Sequence, residues 1–320
     1  MPRWPVPTVG LCLALAVAAC AAPPERWAHS AGTDHPLTGQ IYRVADGAVL
    51  SEAELIADAA AADFVLIGGR PDNLDHHRLQ ARVVSALQRD PRRSRALAFG
   101  MIGVDRQLAI VEYLDRHPGD AAGLGAALDW TAGRWPEWAL YEPVARAALA
   151  NGGQIVAADL DPGQKRAVFE RGPQALRSSF VRRTGLDRGL AASAVVDLLA
   201  ELDDAPCGEA PPEVVAGMYQ VQRAREAMMA DRLAAASGRA GGILIAGTGH
   251  VRKNRGAPWY LARLEPDARI VSIGLLEVED DVRDPPADLP YDYLWFTPRV
   301  DDRDPCAVPE GDLQSLRGSG

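Results

Sequence analysis

The sequence predicts an α/β fold: a mainly parallel sheet flanked by helices, with a helical insertion or subdomain over residues 165–239. Three observations predict it. Short apolar runs recur along the chain, at 63–68, 96–102, 154–160, 242–247, 269–275 and 292–297. The earlier runs lack strict alternation, as strands covered on both faces do. Stretches with helical spacing separate them, and strand–helix–strand alternation favours a parallel sheet.

In chain order, Ser51-Glu52-Ala53-Glu54 reads as a capping box that opens a first helix, with Leu50 and Leu55 placed to staple it. Asp63–Gly68 is the first buried strand, and Val83, Val84 and Leu87 carry helical spacing after it. Ala96–Ile102 is the next strand, and Gln107 to Leu114 the next helix. Pro143 is expected to open the helix that runs to Ala150, because proline suits a first turn and not a helix interior. Gln154–Leu160 follows as a strand. From Lys165 to Arg239 no strand pattern occurs; Val195–Leu202 and Val214–Leu233 read as helices. The sheet resumes with Gly242–Gly247, Arg269–Leu275 and Asp292–Thr297.

Composition narrows the function. The 320 residues are 48% hydrophobic and 24% charged, values of a globular chain. A formal charge of −9 argues against a nucleic-acid partner, which needs a basic face. No Cys-x-x-Cys occurs, which speaks against a zinc ribbon, a dithiol redox motif and covalent c-type haem. Of the 34 basic residues only Lys165 and Lys253 are lysine.

Arg3 precedes an uncharged apolar run, Val9–Ala19. As a helix it would span about 16 Å, short of a bilayer core of about 30 Å. Residues 1–19 therefore read as a signal peptide. Val17-Ala18-Ala19-Cys20 resembles a bacterial lipobox, which would put the lipid on Cys20; an ordinary signal peptide cut nearby is the alternative. Ala21 after Cys20, in place of Asp, points to the outer membrane of the cell envelope. Residues 20–36 read as a lipidated tether, 37–306 as the domain and 307–320 as a loose tail. In an exported chain Cys207 and Cys306 remain as candidates for a disulfide.

Ligands of open parallel sheets bind beyond the carboxyl ends of the strands. There the chain places Asp72, His76 and His77, then Gln107, then His250, Arg252 and Lys253. Adjacent helical residues point about 100° apart, so His76 and His77 do not readily share one metal. One is expected to face the rim and the other the sheet, and a structural histidine is an equal reading. His250 follows a Gly-Thr-Gly turn where a ligand can approach the backbone, and Arg252 and Lys253 beside it suit carboxylate or phosphate. His77, His250 and Asp72 could supply part of a metal site, though their spacing does not require one. No GxSxG, HExxH or GxxxxGK[ST] motif occurs.

Taken together these motifs resemble the ChaN-like haem-binding lipoproteins. The matching pieces are the lipobox at Cys20, Asp72-Asn73-x-Asp75-His76-His77-x-x-Gln80, Asp105-x-Gln107 and Trp135-Pro136-x-Trp138-x-x-Tyr141-x-Pro143. Further along come Cys207-Gly208, Gln222-x-x-Arg225, Ala246-Gly247-x-Gly249-His250-x-Arg252 and Asp292-Tyr293-x-Trp295-Phe296-Thr297-Pro298. The resemblance implies an α/β fold with a helical lobe, in a superfamily that also holds erythromycin-esterase-like hydrolases and some metal-dependent peptidases. It implies non-covalent haem, a homodimer that stacks two haems, a tyrosine on the iron, and a histidine and a lysine near the propionates. Tyr141 is the first candidate for the iron and Tyr293 the second. For the propionates the candidates are His250 with Lys253 or Arg252, and His76, His77, Asp72 and Gln107 complete the set of cofactor-site candidates.

The departures from the family pattern bear on activity. The family's Gly-Glu-x-His corresponds to Gly68-Gly69-Arg70-Pro71, and its Glu-Met to Gly100-Met101. Two acids and a histidine on the expected rim are thus replaced by Gly, Pro and Gly, which argues against hydrolysis by the superfamily's route. The expectation is an exported, lipid-anchored haem-binding protein of haem or iron uptake, partnered by haem, the membrane and an outer-membrane haem receptor. The alternatives are an esterase- or peptidase-like hydrolase and a scaffold lipoprotein with a protein partner.

Overall fold

The computed structural model describes residues 26–132, 135–203 and 211–301. Cys20, Cys207, Cys306, the signal peptide and the expected tail lie outside the described residues. The elements run β1 (Ile41–Arg43), β2 (Ala48–Leu50), α1 (Glu52–Ala60), β3 (Phe64–Gly69), α2 (Leu74–Leu87), β4 (Ala96–Gly103), α3 (Gln107–Arg116), α4 (Leu124–Ala127), α5 (Trp138–Leu149) and β5 (Ile155–Asp159). Then come α6 (Pro162–Arg171), α7 (Ser178–Thr184), α8 (Ala192–Asp203), α9 (Pro212–Ser237), β6 (Gly242–Gly247), α10 (Ala257–Leu264), β7 (Ile270–Glu277) and β8 (Tyr293–Thr297).

The strands form one sheet in the order β2-β1-β8-β7-β3-β6-β4-β5. The six strands from β8 to β5 are parallel, and β1 pairs antiparallel with β8 and with β2. All six apolar runs are strands, because side chains of both parities are buried. Val65, Ile67, Phe99 and Ile245 join one core with α1, α2 and α5, whereas Leu66, Ala98, Leu244 and Ala246 join a second with α6, α7, α9 and α10.

Four features differ from expectation. The β1–β2 hairpin escapes a pattern reading because each strand has only three residues. Residues 165–239 contain no strand but do not stand apart: Ala224, Ala227, Met229 and Leu233 of α9 belong to the core beneath the sheet. Pro143 lies inside α5, which starts earlier, at Trp138. Residues 26–36, read as part of a tether, rest on the domain. The Ala28 and His29 N–H groups donate to the buried Asp75 carboxylate at 2.7 and 3.0 Å, and Ala31 bridges to Arg299. Asp75 sits in the first turn of α2, where its charge also suits the helix dipole.

The capping box of α1 forms as read, with Ser51 and Glu54 bonded to each other's backbone N–H. The open edge of β5 is closed by a side chain. Gln107 Oε1 accepts from the Ala157 N–H at 2.9 Å and its Nε2 donates to the Ile155 carbonyl at 3.3 Å.

Candidate functional site

The carboxyl-terminal halves of β3, β6 and β4 lie side by side and carry small residues, Gly69 and Gly247 at the ends of β3 and β6 and Gly100 within β4. Above them is a cavity of about 140 Å³, walled by His77 and Gln80 of α2, Tyr141 of α5, Arg225 of α9, Met101, Trp135 and His250. Met101 and Trp135 also border a neighbouring cavity of about 260 Å³, whose lining includes Trp130, Arg106 and Lys165. Sharing these two residues, the cavities adjoin along the rim as a trough. Together they fall within the size of small-molecule sites, about 300–1,000 Å³.

Three of the expected residues meet here. Tyr141 is 1% exposed, and its hydroxyl donates to the Pro71 carbonyl at 3.4 Å, a long bond for a hydroxyl donor. Burial, and then the Asp72 carboxylate, push its phenol pKa upward. The His77 ring stands edge-on to Tyr141 with centroids 4.4 Å apart, and its Nε2 donates to Pro71 O at 2.8 Å. Trp130 adds an aromatic neighbour 4.9 Å from Tyr141. His250 turns Nδ1 toward α9, 3.0 Å from Gln222 Nε2 and 3.4 Å from Glu226 Oε1, and burial lowers its pKa.

The other expected residues sit elsewhere. His76 points away from His77, as the helical angle requires. Its Nδ1 accepts from the Arg70 N–H at 2.8 Å, so the ring proton is on Nε2, which donates to Thr297 Oγ1 at 2.9 Å. Burial lowers its pKa to about 3, and it acts as a neutral tie between α2 and β8. Asp72 is exposed and pairs with Arg70. Gln107 is occupied by the edge of β5. Arg252 lies over Tyr291 and faces Asp197, and Lys253 pairs with Asp292, so neither lines the trough. Tyr293, the second iron candidate, donates to Asp58 at 2.8 Å on the far side of the sheet edge.

The cations that border the trough are Arg70, which pairs with Asp72 and Glu277, and Arg106, Lys165 and Arg225. Arg225 donates to both oxygens of the buried Asp159 at 3.0 and 3.1 Å, and Lys165 Nζ lies 2.7 Å from the same carboxylate. Two cations share Asp159, while Asp105, which pairs with Arg106 at 3.4 Å, and Asp129 also line this end of the rim, so its acids and bases balance in number. The lysine that borders the trough is Lys165, whereas Lys253 lies outside it. Arg225 was visible in the sequence through Gln222-x-x-Arg225, a spacing that puts both side chains on one helical face.

The positions that depart from the family pattern are filled. A Cβ on Gly69 would lie 2.8 Å from Gln80 Nε2 and 3.2 Å from His76 Cβ. One on Gly100 would lie 3.0 Å from the Met229 thioether and from Ala246 Cβ. Apolar and amide groups occupy the space an acid would need. Among the described residues, no three His, Cys, Asp or Glu side chains converge as a metal set. The arrangement offers mutually inclined aromatic rings, a phenol, an imidazole and cations, and so suits an apolar body with anionic groups.

The family described as haem-binding uptake, Tiki superfamily, ChaN matches residues 55–261. Among solved structures, that of cofacial haem binding to ChaN of Campylobacter jejuni aligns at 18% identity and a TM-score of 0.57, covering 80% of this chain and 95% of that one. The type III effector HopBA1 aligns at 15% identity and a TM-score of 0.45, covering 76% and 91%. No curated protein matches.

Proposed function

The chain belongs to the haem-binding ChaN family of the Tiki superfamily, and from that premise we propose that it binds haem along the rim trough and serves haem or iron uptake. The observation that carries this is the composition of the trough: Tyr141, Trp130, Trp135 and Met101 on its walls, with Lys165, Arg106, Arg225 and His250 around them. Bound haem supplies a ferric centre that takes an oxygen ligand and two carboxylates that take cations.

Tyr141 is the residue to hold the iron, because its hydroxyl is held only by a long bond and is easily released. Burial keeps the proton on that hydroxyl, so coordination displaces it, and this step favours binding as pH rises through neutrality. His250 donates to a carboxylate from the buried side, and Lys165 and Arg106 attract one at the open end. The trough is smaller than an enclosing haem pocket, so one face of a flat ligand stays open. Leu108 and Val111 of α3, 66% and 55% exposed, follow closely on Arg106 and offer apolar surface for a second copy. The cofacial haem binding of the Campylobacter protein supports such a homodimer.

Export and lipid anchoring at Cys20, with residence at the outer membrane beside a haem receptor, complete the proposal. Radiolabelled palmitate should enter the protein in a bacterial host and be absent from Cys20→Ser; labelling of both would reject the anchor. Haem titrated into the protein should give a saturable Soret band that Tyr141→Phe weakens.

A further inference from the structure

Glu226 is fully buried on α9, one residue from Arg225, and the site as described leaves it without a role. A buried carboxylate is normally paired with a cation. This one is not hydrogen-bonded to any. Arg225 gives its bonds to Asp159. Arg255, also buried, bonds Glu201 through Nη2, while its Nε and Nη1 have no partner. Glu226 Oε2 has no partner either. Its polar contacts are Gln222 Nε2, 3.2 Å from Oε1, and His250 Nδ1, 3.4 Å from the same oxygen.

We propose that Glu226 is a positioning residue for His250: it keeps a proton in the Glu226–His250 pair, and this makes His250 Nε2 a donor to an anionic oxygen of the ligand in the trough. The inference rests on reading the trough as the site of a carboxylate-bearing ligand. Gln222 donates to Glu226 Oε1 and to His250 Nδ1, so Nδ1 is an acceptor and the ring proton lies on Nε2. With Nδ1 turned to α9, the opposite edge of the ring lines the cavity. A carboxylate at Glu226 would instead draw the ring proton to Nδ1 and leave a lone pair facing the ligand.

The groups around the pair set its charge. Gln222 and Arg225 face Glu226 from α9, Glu201 from α8, His250 from the turn after β6, and Arg255 and Tyr260 from the α10 side. Arg225, Arg255 and Lys165 act on His250. Burial outweighs the arginines and pushes the Glu226 carboxyl up to about 8. The pair therefore carries its extra proton at neutral pH and loses it above about 8.

The test uses iron-free protoporphyrin IX, which has both carboxylates and no metal, titrated by fluorescence into the full chain from pH 6.5 to 9.5. The dissociation constant should be flat below pH about 8, then rise toward tenfold per pH unit. In Glu226→Gln the constant should vary less than twofold across that range. A parent protein whose affinity does not fall by pH 9.5, or a variant that keeps the fall, overturns the inference. Saturable haem binding without porphyrin binding overturns it too and leaves the haem reading standing; failure of both removes that reading. Should Glu226→Gln not fold, nitrogen-15 shifts of His250 in the parent decide. A ring proton on Nε2 at pH 7 supports the assignment, and one on Nδ1 contradicts it.

Discussion

At the scale of single residues, the site is set by which polar groups are left underused. Tyr141 and His77 share one acceptor, the Pro71 carbonyl. Glu226 meets an amide and an imidazole and no cation. That solitude affects stability as well as binding. The carboxyl binds its proton more tightly folded, up to about 8, than unfolded near 4.5, so folding loses stability as pH rises between those values. From pH 6.5 to 8 the parent should therefore lose stability relative to Glu226→Gln by up to about 1.4 kcal/mol per pH unit. Urea unfolding of both proteins at several pH values measures it, and a constant difference across that range contradicts it. Much of the site was legible residue by residue. The angle between His76 and His77 predicted their divergence, and the glycine turn before His250 predicted an approach to the rim. Which lysine borders the trough was not legible. Lys253 follows His250 in sequence, whereas Lys165 reaches the trough from α6 because both it and Arg225 serve Asp159 at the tip of β5.

At the scale of elements, buried strands announced themselves through continuous apolar runs, whereas their order in the sheet is set by long-range pairing that the runs do not encode. What was missed was short or locally contradictory. Strands of three residues are too brief to show a period. Pro143 suggested a helix start, yet the packing of Trp138 and Tyr141 against the sheet carries the helix through it despite the lost backbone bond. Gln107, a motif residue, reads in sequence as a ligand; in the fold it supplies the two hydrogen bonds that a ninth strand would give β5. Gln107→Ala leaves the Ala157 N–H and the Ile155 carbonyl without those bonds. It should cost about 1–3 kcal/mol and speed amide exchange in β5 while sparing β3. Equal exchange across the sheet would show that the glutamine does not seal the edge.

At the scale of the whole molecule, the ends of the sheet's parallel strands gather a small cavity, and the segment between β5 and β6 supplies helices that close it from below and bring Arg225, Gln222 and Glu226 to it. Met229 of that segment backs Gly100, and Gln80 of α2 backs Gly69, so the volume beside both glycines is filled. The chain ahead of the domain does not hang free from residue 26 onward; it is tied to Asp75, and any tether to a membrane must precede that point. The proposed haem site on this rim depends on Tyr141, and an absorption titration of the protein with ferric haem reads that dependence. The titration should give a saturable Soret band at micromolar haem, tighter as pH rises toward about 8, and weakened at least tenfold in Tyr141→Phe. No saturable band, or an identical band and affinity in Tyr141→Phe, would contradict it.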